Sequence, residues 1–383
     1  MRVGLDAVLD DPKRLVAWRT SRVGLLVHPA SVTRRMQHAV DALGEAGVRP
    51  SILFGPEHGF GGGAQDMAQV GDEVDARTGA RVVSLYGHGL ERLSPRADEL
   101  AGLDLLVVDL QDVGARYYTF VWTALLALRA CAKAGVRVVI LDRPNPIDGV
   151  TREGRVHEEL RLRSFVGLEP VPIRHAMTLG EIVALRARVE GLSDALEVVP
   201  IEGWDRRSYG DAWDRPFVLP SPNMPTVDTA VVYPGGCLIE ATNLSEGRGT
   251  TRPFELCGAP WLDGCALAAA LHATALPGFR ARPTTFEPTF QKHARQVCGG
   301  VQIHVTDRRA FRPVATYLAL LALARAQAPE RFGLRAEPYE YVEPQEAEAL
   351  DLLCGTTRTR QVLMAGGAWR DVVATVCDEP VPA

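Results

Sequence analysis

Apolar and polar positions alternate along the first half of the chain in a way that predicts strands and helices by turns. Short apolar runs mark strands at residues 22–27, 51–54, 81–85, 104–108 and 136–141. Between them lie segments of helical composition at about 34–46, where Gly47 is a suitable C-terminal stop, and at 119–134, rich in Ala and Leu. The run at 104–108 is continuously apolar, as a strand covered on both faces should be. Strand and helix in alternation predict an α/β fold: a doubly wound, mostly parallel sheet with right-handed crossovers.

The ends of those strands are polar at the same relative place. His28 and Ser31 follow the first, Glu57 and His58 the second, Asp109 and Asp112 the fourth, Asp142 and Asn145 the fifth. Parallel strands bring their C-terminal ends to one edge, where ligands of open α/β sheets bind. Asp142 and Asn145 sit in a Pro-rich turn, where capping of the next helix explains them equally well. Glu57 is different. It stands in Leu53-Phe54-Gly55-Pro56-Glu57-His58-Gly59-Phe60, where Gly-Pro breaks the strand and a run of small residues to Ala64 follows in place of a helix.

Beyond Gly149 the pattern loosens. Thr178-Leu-Gly-Glu181 is a capping box that opens a helix towards Glu190, and a strand is expected at 196–201. Residues 204–214, aromatic and polar, form a pocket wall or cover the core. Pro220, Pro222 and Pro225 exclude helix and favour an extended link. A domain boundary is therefore expected here, with domains at 1–219 and 220–383. The second half opens on a polar, Gly-bearing stretch, 240–255, with no amphipathic period, as functional loops have. Helices at 264–275, 313–326 and 347–353 and a strand at 301–305 complete it.

Composition narrows the function classes. With 383 residues the chain is long enough for two domains, and 46% hydrophobic and 23% charged residues exclude wholesale disorder. The formal net charge of −5 and the absence of a basic block argue against nucleic acid and against an anionic membrane as partners. No window is apolar enough to span a bilayer, and the start does not read as a signal peptide. Seven cysteines without a C-x-x-C pair fit reduced thiols, so a cytoplasmic location is expected. The glycines at 59–63 match neither a dinucleotide nor a phosphate-loop pattern. His272, His293 and His304 lack metal-ligand spacing. No cofactor and no metal are expected.

Several motifs stand in a fixed order: Pro29-Ala-Ser31, Phe54-Gly-Pro-Glu-His-Gly-Phe60, Asp109-Leu-Gln-Asp-Val-Gly-Ala-Arg-Tyr-Tyr-Thr119, Leu141-Asp-Arg-Pro-Asn-Pro-Ile147, Ser221-Pro-Asn-Met-Pro-Thr226 and Asn243-Leu-Ser-Glu-Gly-Arg-Gly-Thr-Thr251. In these the chain resembles the exo-β-N-acetylmuramidases of peptidoglycan recycling, over nearly its whole length. The resemblance implies a Rossmann-like N-terminal domain, a smaller α+β C-terminal domain closing an active cleft, and release of terminal N-acetylmuramic acid from the non-reducing end of glycan fragments. It makes Glu57 the catalytic acid. The family usually has a basic residue after the position of Phe60, whereas this chain has Gly61, and many relatives are exported.

Glycoside hydrolysis needs one protonated carboxyl and, in most enzymes, a second carboxylate. Phe54 and Phe60 give Glu57 apolar surroundings. Glu246, Asp109 and Asp112 are the candidates for the second group, and Tyr118 is placed to hydrogen-bond at the reacting centre. Arg116 and Arg248 suit the lactyl carboxylate of muramic acid, since a guanidinium binds a carboxylate bidentately. His58, Asp112, Asn223 and Asn243 are further substrate-binding candidates, the asparagines for sugar hydroxyls or the acetamido group. Two other readings remain at this stage: a carbohydrate-binding protein without turnover, and an esterase or amidase. The second lacks a G-x-S-x-G elbow and a Cys–His pair.

Overall fold

The expected alternation closes into one sheet. In a computed structural model of the chain, β1 (Val23–Val27), β2 (Pro50–Gly55), β3 (Glu73–Val74), β4 (Arg81–Ser84), β5 (Leu105–Asp109), β6 (Arg137–Leu141) and β7 (Leu196–Val199) are ordered β3-β4-β2-β1-β5-β6-β7. Every pairing is parallel except that of β3 with β4. The structure describes all residues except 64–72, 88, 344 and 379–383, and of Glu73 the backbone alone. Ala64, the expected end of the run of small residues, lies outside the described residues.

The chain divides into two compact units. The first comprises Met1–Gly114, Tyr118–Val150 and Ala176–Val227, and the second Ala115–Tyr117, Thr151–His175 and Asp228–Ala383. The boundary expected at 219/220 and the final passage between units after Val227 do not coincide. Residues 219–226 hold no regular element, in keeping with their prolines, and the helix Val227–Gly236 follows.

In the first unit β1 and β5 are buried at every position, as their unbroken apolar runs require. Leu25, Val27, Leu53, Leu105, Val107 and Leu141 share a core with Leu5, Val8, Leu15 and Trp18. The last four come from two helices, Gly4–Leu9 and Pro12–Arg19, that the hydrophobic pattern does not announce because each is too short to show a period. The second has a legible start: Asp11 accepts from the Lys13 and Arg14 N–H groups, and Pro12 takes the first helical position. The helix expected at 34–46 is confined to Ala39–Glu45, where the His38 ring caps the Val40 N–H. Residues before it form a turn closed by a bridge between Val32 and His38.

Parallel register carries the strand ends to one edge. Val27 pairs with Asp109, Leu26 with both Phe54 and Val108, and Val108 with Ile140. His28, Glu57, Asp109 and Asp142 therefore lie along the same border of the sheet.

The second unit contains an antiparallel sheet of β8 (Leu256–Ala259), β9 (Phe279–Phe286) and β10 (Cys298–Val305), ordered β8-β10-β9. The helices Gly264–Ala273 and Pro313–Gln327 pack together, the first also against β9 and β10. This is the α+β arrangement expected of it. Among the described residues no helix is long and apolar enough to cross a membrane.

Candidate active site

Glu57 follows the end of β2 by two residues. Gly55 makes the sharp exit possible, because a Cβ there would overlap the Phe60 backbone nitrogen. Both Glu57 and His58 are buried. His58 adopts a left-handed backbone, φ 71°. For a residue with a Cβ this costs about 1–2 kcal/mol, and such strain gathers at functional sites. Thr119, at the N-terminus of helix Phe120–Ala134, donates its hydroxyl to Glu57 Oε2 at 2.7 Å.

Tyr118 is the next neighbour. Its ring lies 4.7 Å from that of Phe120, centroid to centroid. Burial pushes its phenol well above the usual range; the neighbouring Ser221 opposes this, and the charges of Asp112 and Glu57 add to it. Tyr118 is therefore a neutral hydroxyl on which both carboxylates bear. Asp112 Oδ2 accepts from the Gly114 N–H at 2.7 Å. A Cβ at Gly114, where φ is +85°, would come within 2.5 Å of Asn145 Oδ1.

Two further strand-end groups complete the edge. His28 is held neutral, by burial first and then by the charge of Arg143. Its Nε2 accepts from the Gln111 N–H at 2.9 Å, so its proton sits on Nδ1, facing the Pro220 carbonyl. Asp109 is clasped bidentately by Arg143, Nε to Oδ1 at 2.5 Å and Nη2 to Oδ2 at 2.8 Å. Asp142 accepts from the Thr178 hydroxyl at 2.6 Å and the Gly180 N–H at 2.9 Å, so it caps the helix Leu179–Glu190. Burial pushes its carboxyl up to about 6 against those hydrogen bonds.

In the second unit the polar stretch 240–255 forms a closed network. Lys292 Nζ donates to Glu246 Oε2 at 3.0 Å and to the carbonyls of Ile239, Glu240 and Leu244. Arg248 bonds Glu240 Oε1 at 2.6 Å, lies 3.3 Å from Glu246 Oε1 and covers the Phe254 ring. Tyr339 donates to Glu240 Oε2 at 2.8 Å. Burial raises the Glu246 carboxyl, but Lys292 and then Arg248 outweigh it and hold the group below the usual carboxylate range.

Comparison with known proteins decides the family. The chain matches the family described as exo-beta-N-acetylmuramidase NamZ in both its parts, the N-terminal part over residues 23–228 and the C-terminal part over 231–379. It belongs to the exo-β-N-acetylmuramidase NamZ family. It is 42% identical over 333 residues to the peptidoglycan beta-N-acetylmuramidase NamZ of Bacillus subtilis (strain 168), covering 87% of this chain and 79% of that protein. Among solved structures it is similar to two DUF1343 family proteins of Bacteroides fragilis NCTC 9343. One is 29% identical with a TM-score of 0.85, covering 98% of this chain and 94% of that one. The other is 25% identical with a TM-score of 0.72, covering 97% and 93%.

Within this family member, the edge of the first unit brings together Glu57, His58, Asp112 and Tyr118, and adds Thr119. Asn223, also buried, lies two residues beyond Ser221, a neighbour of Tyr118. Other residues singled out from the sequence have bonds of a different kind. Arg116, fully buried, donates to the carbonyls of Arg155, Val171 and Leu353, which is the geometry of a brace. Asn243 pins a loop: its side chain donates to the Arg331 carbonyl at 2.7 Å and accepts from the Gly333 N–H at 3.1 Å. Asp109 is neutralised by Arg143. Thr119, Arg143 and Lys292 escaped sequence reasoning, because their roles arise from partners 34 to 62 residues away. The one local signal is that Thr119 directly precedes a long apolar helix.

Proposed function

We propose that the chain is a glycosidase, an exo-β-N-acetylmuramidase that releases N-acetylmuramic acid from the non-reducing end of peptidoglycan fragments. The observation that carries this reading is the match to the B. subtilis enzyme over 87% of the chain. Glu57 is the acid: its proton passes to the glycosidic oxygen as the bond to the anomeric carbon breaks, and water supplies the new hydroxyl there while its remaining proton passes to a carboxylate of the site. Asp112 is the second carboxylate, supported by its sharing of the Tyr118 environment with Glu57. Tyr118, kept neutral, donates to an oxygen at the reacting centre. His58 and Asn223 contact the sugar. Glu246 and Arg248 hold the shape of the 240–255 loop.

Glu57→Gln tests the assignment. It retains shape and hydrogen bonding but has no acidic proton, so turnover of a natural disaccharide should fall by about 10²–10⁴-fold. A substrate with an activated aryl leaving group should lose far less. Equal loss on both would make Glu57 a nucleophile or positioning group. If wild-type protein binds muramic-acid glycosides and releases no product, it is a binding protein instead. A cytoplasmic location is proposed with this reading. All seven cysteines are free and five are buried, which suits a reducing compartment. Cell fractionation that finds the protein outside the cytoplasm would refute it.

A further inference from the structure

The strand order of the first unit reverses between β1 and β5. From β1 the chain steps outward through β2 and β4, and from β5 outward through β6 and β7. In open α/β sheets, ligands bind beyond the strand ends at such a reversal. A pocket stands there, lined by Val32 and Met36 after β1, Gln111 after β5, Arg143 after β6, and Trp213 and Arg215. Two buried donors that line it, Arg215 Nη1 and Trp213 Nε1, have no hydrogen-bond partner among the described residues. The other end of the Arg215 guanidinium is fixed, with Nη2 on Asp6 Oδ2 at 2.7 Å. Arg143 is fixed by Asp109 and by the Val32 carbonyl through Nε and Nη2, and none of these bonds uses Nη1. Burial, opposed by Asp6 and reinforced by the charge of Arg143, holds Arg215 below its usual range, so the two guanidinium groups bear on each other.

We infer that this pocket is a carboxylate-binding subsite. Its two buried side-chain atoms without a hydrogen-bond partner among the described residues, Arg215 Nη1 and Trp213 Nε1, are both N–H donors. An indole can only donate, and a guanidinium presents no acceptor, so the group that meets them is an acceptor, and a negative one pairs best with the guanidinium groups. The cavity volume of about 20 Å³ admits the oxygens of a carboxylate and not a sugar ring. The Trp213 and Phe217 rings offer an apolar wall to the carbon that carries it. The carboxylate comes either from an acidic substituent on the glycan substrate, which rests on the hydrolase reading, or from a free small acid, which does not.

The test is calorimetric titration of the full-length chain with N-acetylmuramic acid, with D-lactate and with N-acetylglucosamine, which lacks the carboxylate. The same titrations are run on Trp213→Phe and Arg215→Gln. Trp213→Phe removes one N–H and keeps the aromatic wall, so it remains informative if loss of the Asp6 pair unfolds Arg215→Gln. Each variant removes a hydrogen bond to an ionised carboxylate, so each should weaken an acid by about tenfold or more. Both acids weakened in the variants, with N-acetylglucosamine unmoved, places the substrate's own carboxylate in the pocket. Weakening of D-lactate alone supports a free acid as ligand. The inference is overturned if both acids bind the variants as they bind wild type, or if neither binds wild type at millimolar concentration. Turnover of a muramic-acid glycoside by the wild-type sample decides the hydrolase reading separately.

Discussion

At the scale of the residue, one hydroxyl sets how Glu57 is presented. Thr119 donates to Oε2, which disfavours that oxygen as the seat of the acidic proton and leaves Oε1 to carry it. Thr119→Val removes the donor at nearly constant volume. A hydrogen bond to a carboxylate contributes about 1.5–3 kcal/mol, so kcat/KM on a natural disaccharide should fall by roughly ten- to a hundredfold. Thr119→Ser should recover most of the loss, and an activated aryl glycoside should be little affected. A loss that Ser does not recover, with a lowered Tm, would make Thr119 a helix cap and no more. Glu57 stands out in the sequence because a Gly-Pro break isolates it from any helix it might cap, and its proposed role as acid comes from the family resemblance. Thr119 does not, because a Thr before an apolar helix reads as an N-cap whether or not a carboxylate faces it.

At the scale of the element, the helix Pro313–Gln327 depends on a buried acid. Glu153 accepts from the Ala315 N–H at 2.9 Å, and its other oxygen has no partner among the described residues. Burial pushes its carboxyl up to about 7, against the hydrogen bonds from the helix start and the charge of Arg174. The folded state therefore keeps a proton that the unfolded chain releases above its ordinary value of 4.5. Stability from this group is greatest at and below about pH 4.5, and falls as pH rises to about 7. The change amounts to roughly 3 kcal/mol. Tm of wild type should decline across that window, and Glu153→Gln, which cannot ionise, should flatten the decline. A profile of equal slope in both proteins would remove Glu153 as its cause. Elements of this kind also show what the hydrophobic pattern conveys. The continuous runs of β1, β5 and β6 were found within one or two residues, because burial on both faces leaves no polar interruption. β8 and β9 were missed: Gly258 and Pro283 lie within them, and their burial follows from the antiparallel partner β10, which no local pattern specifies.

At the scale of the molecule, the two units are interleaved in sequence. The second contains 115–117 and 151–175 as well as everything after Val227. Within it Arg116 reaches the Leu353 carbonyl, and Glu153 caps the helix of 313–327. A fragment of residues 228–383 lacks both, although the family boundary between 228 and 231 falls where such a cut would be made. It should be unfolded in isolation, with no cooperative melting transition by circular dichroism. Co-expression with residues 1–227 should restore one. A fragment that melts cooperatively alone would show that these contacts are dispensable. The prolines at 220–225 mark a real break in regular structure, but no composition signal marks 115–117 or 151–175 as members of the later unit. Their membership is a matter of long-range bonding alone.

That interleaving also bears on how the chain leaves the ribosome. The first unit has all of its sequence once Val227 has been made. Val166, Val171 and Ile173, each buried in the finished second unit, are by then already synthesised. The rest of their unit comes with the remaining two fifths or so of the chain, which at ordinary translation rates takes roughly 10–30 s. During that interval this segment waits for the rest of the unit to which it belongs. The fold thus carries a fixed period in which a holding chaperone, or slow dilution of nascent chains, protects what the completed protein hides.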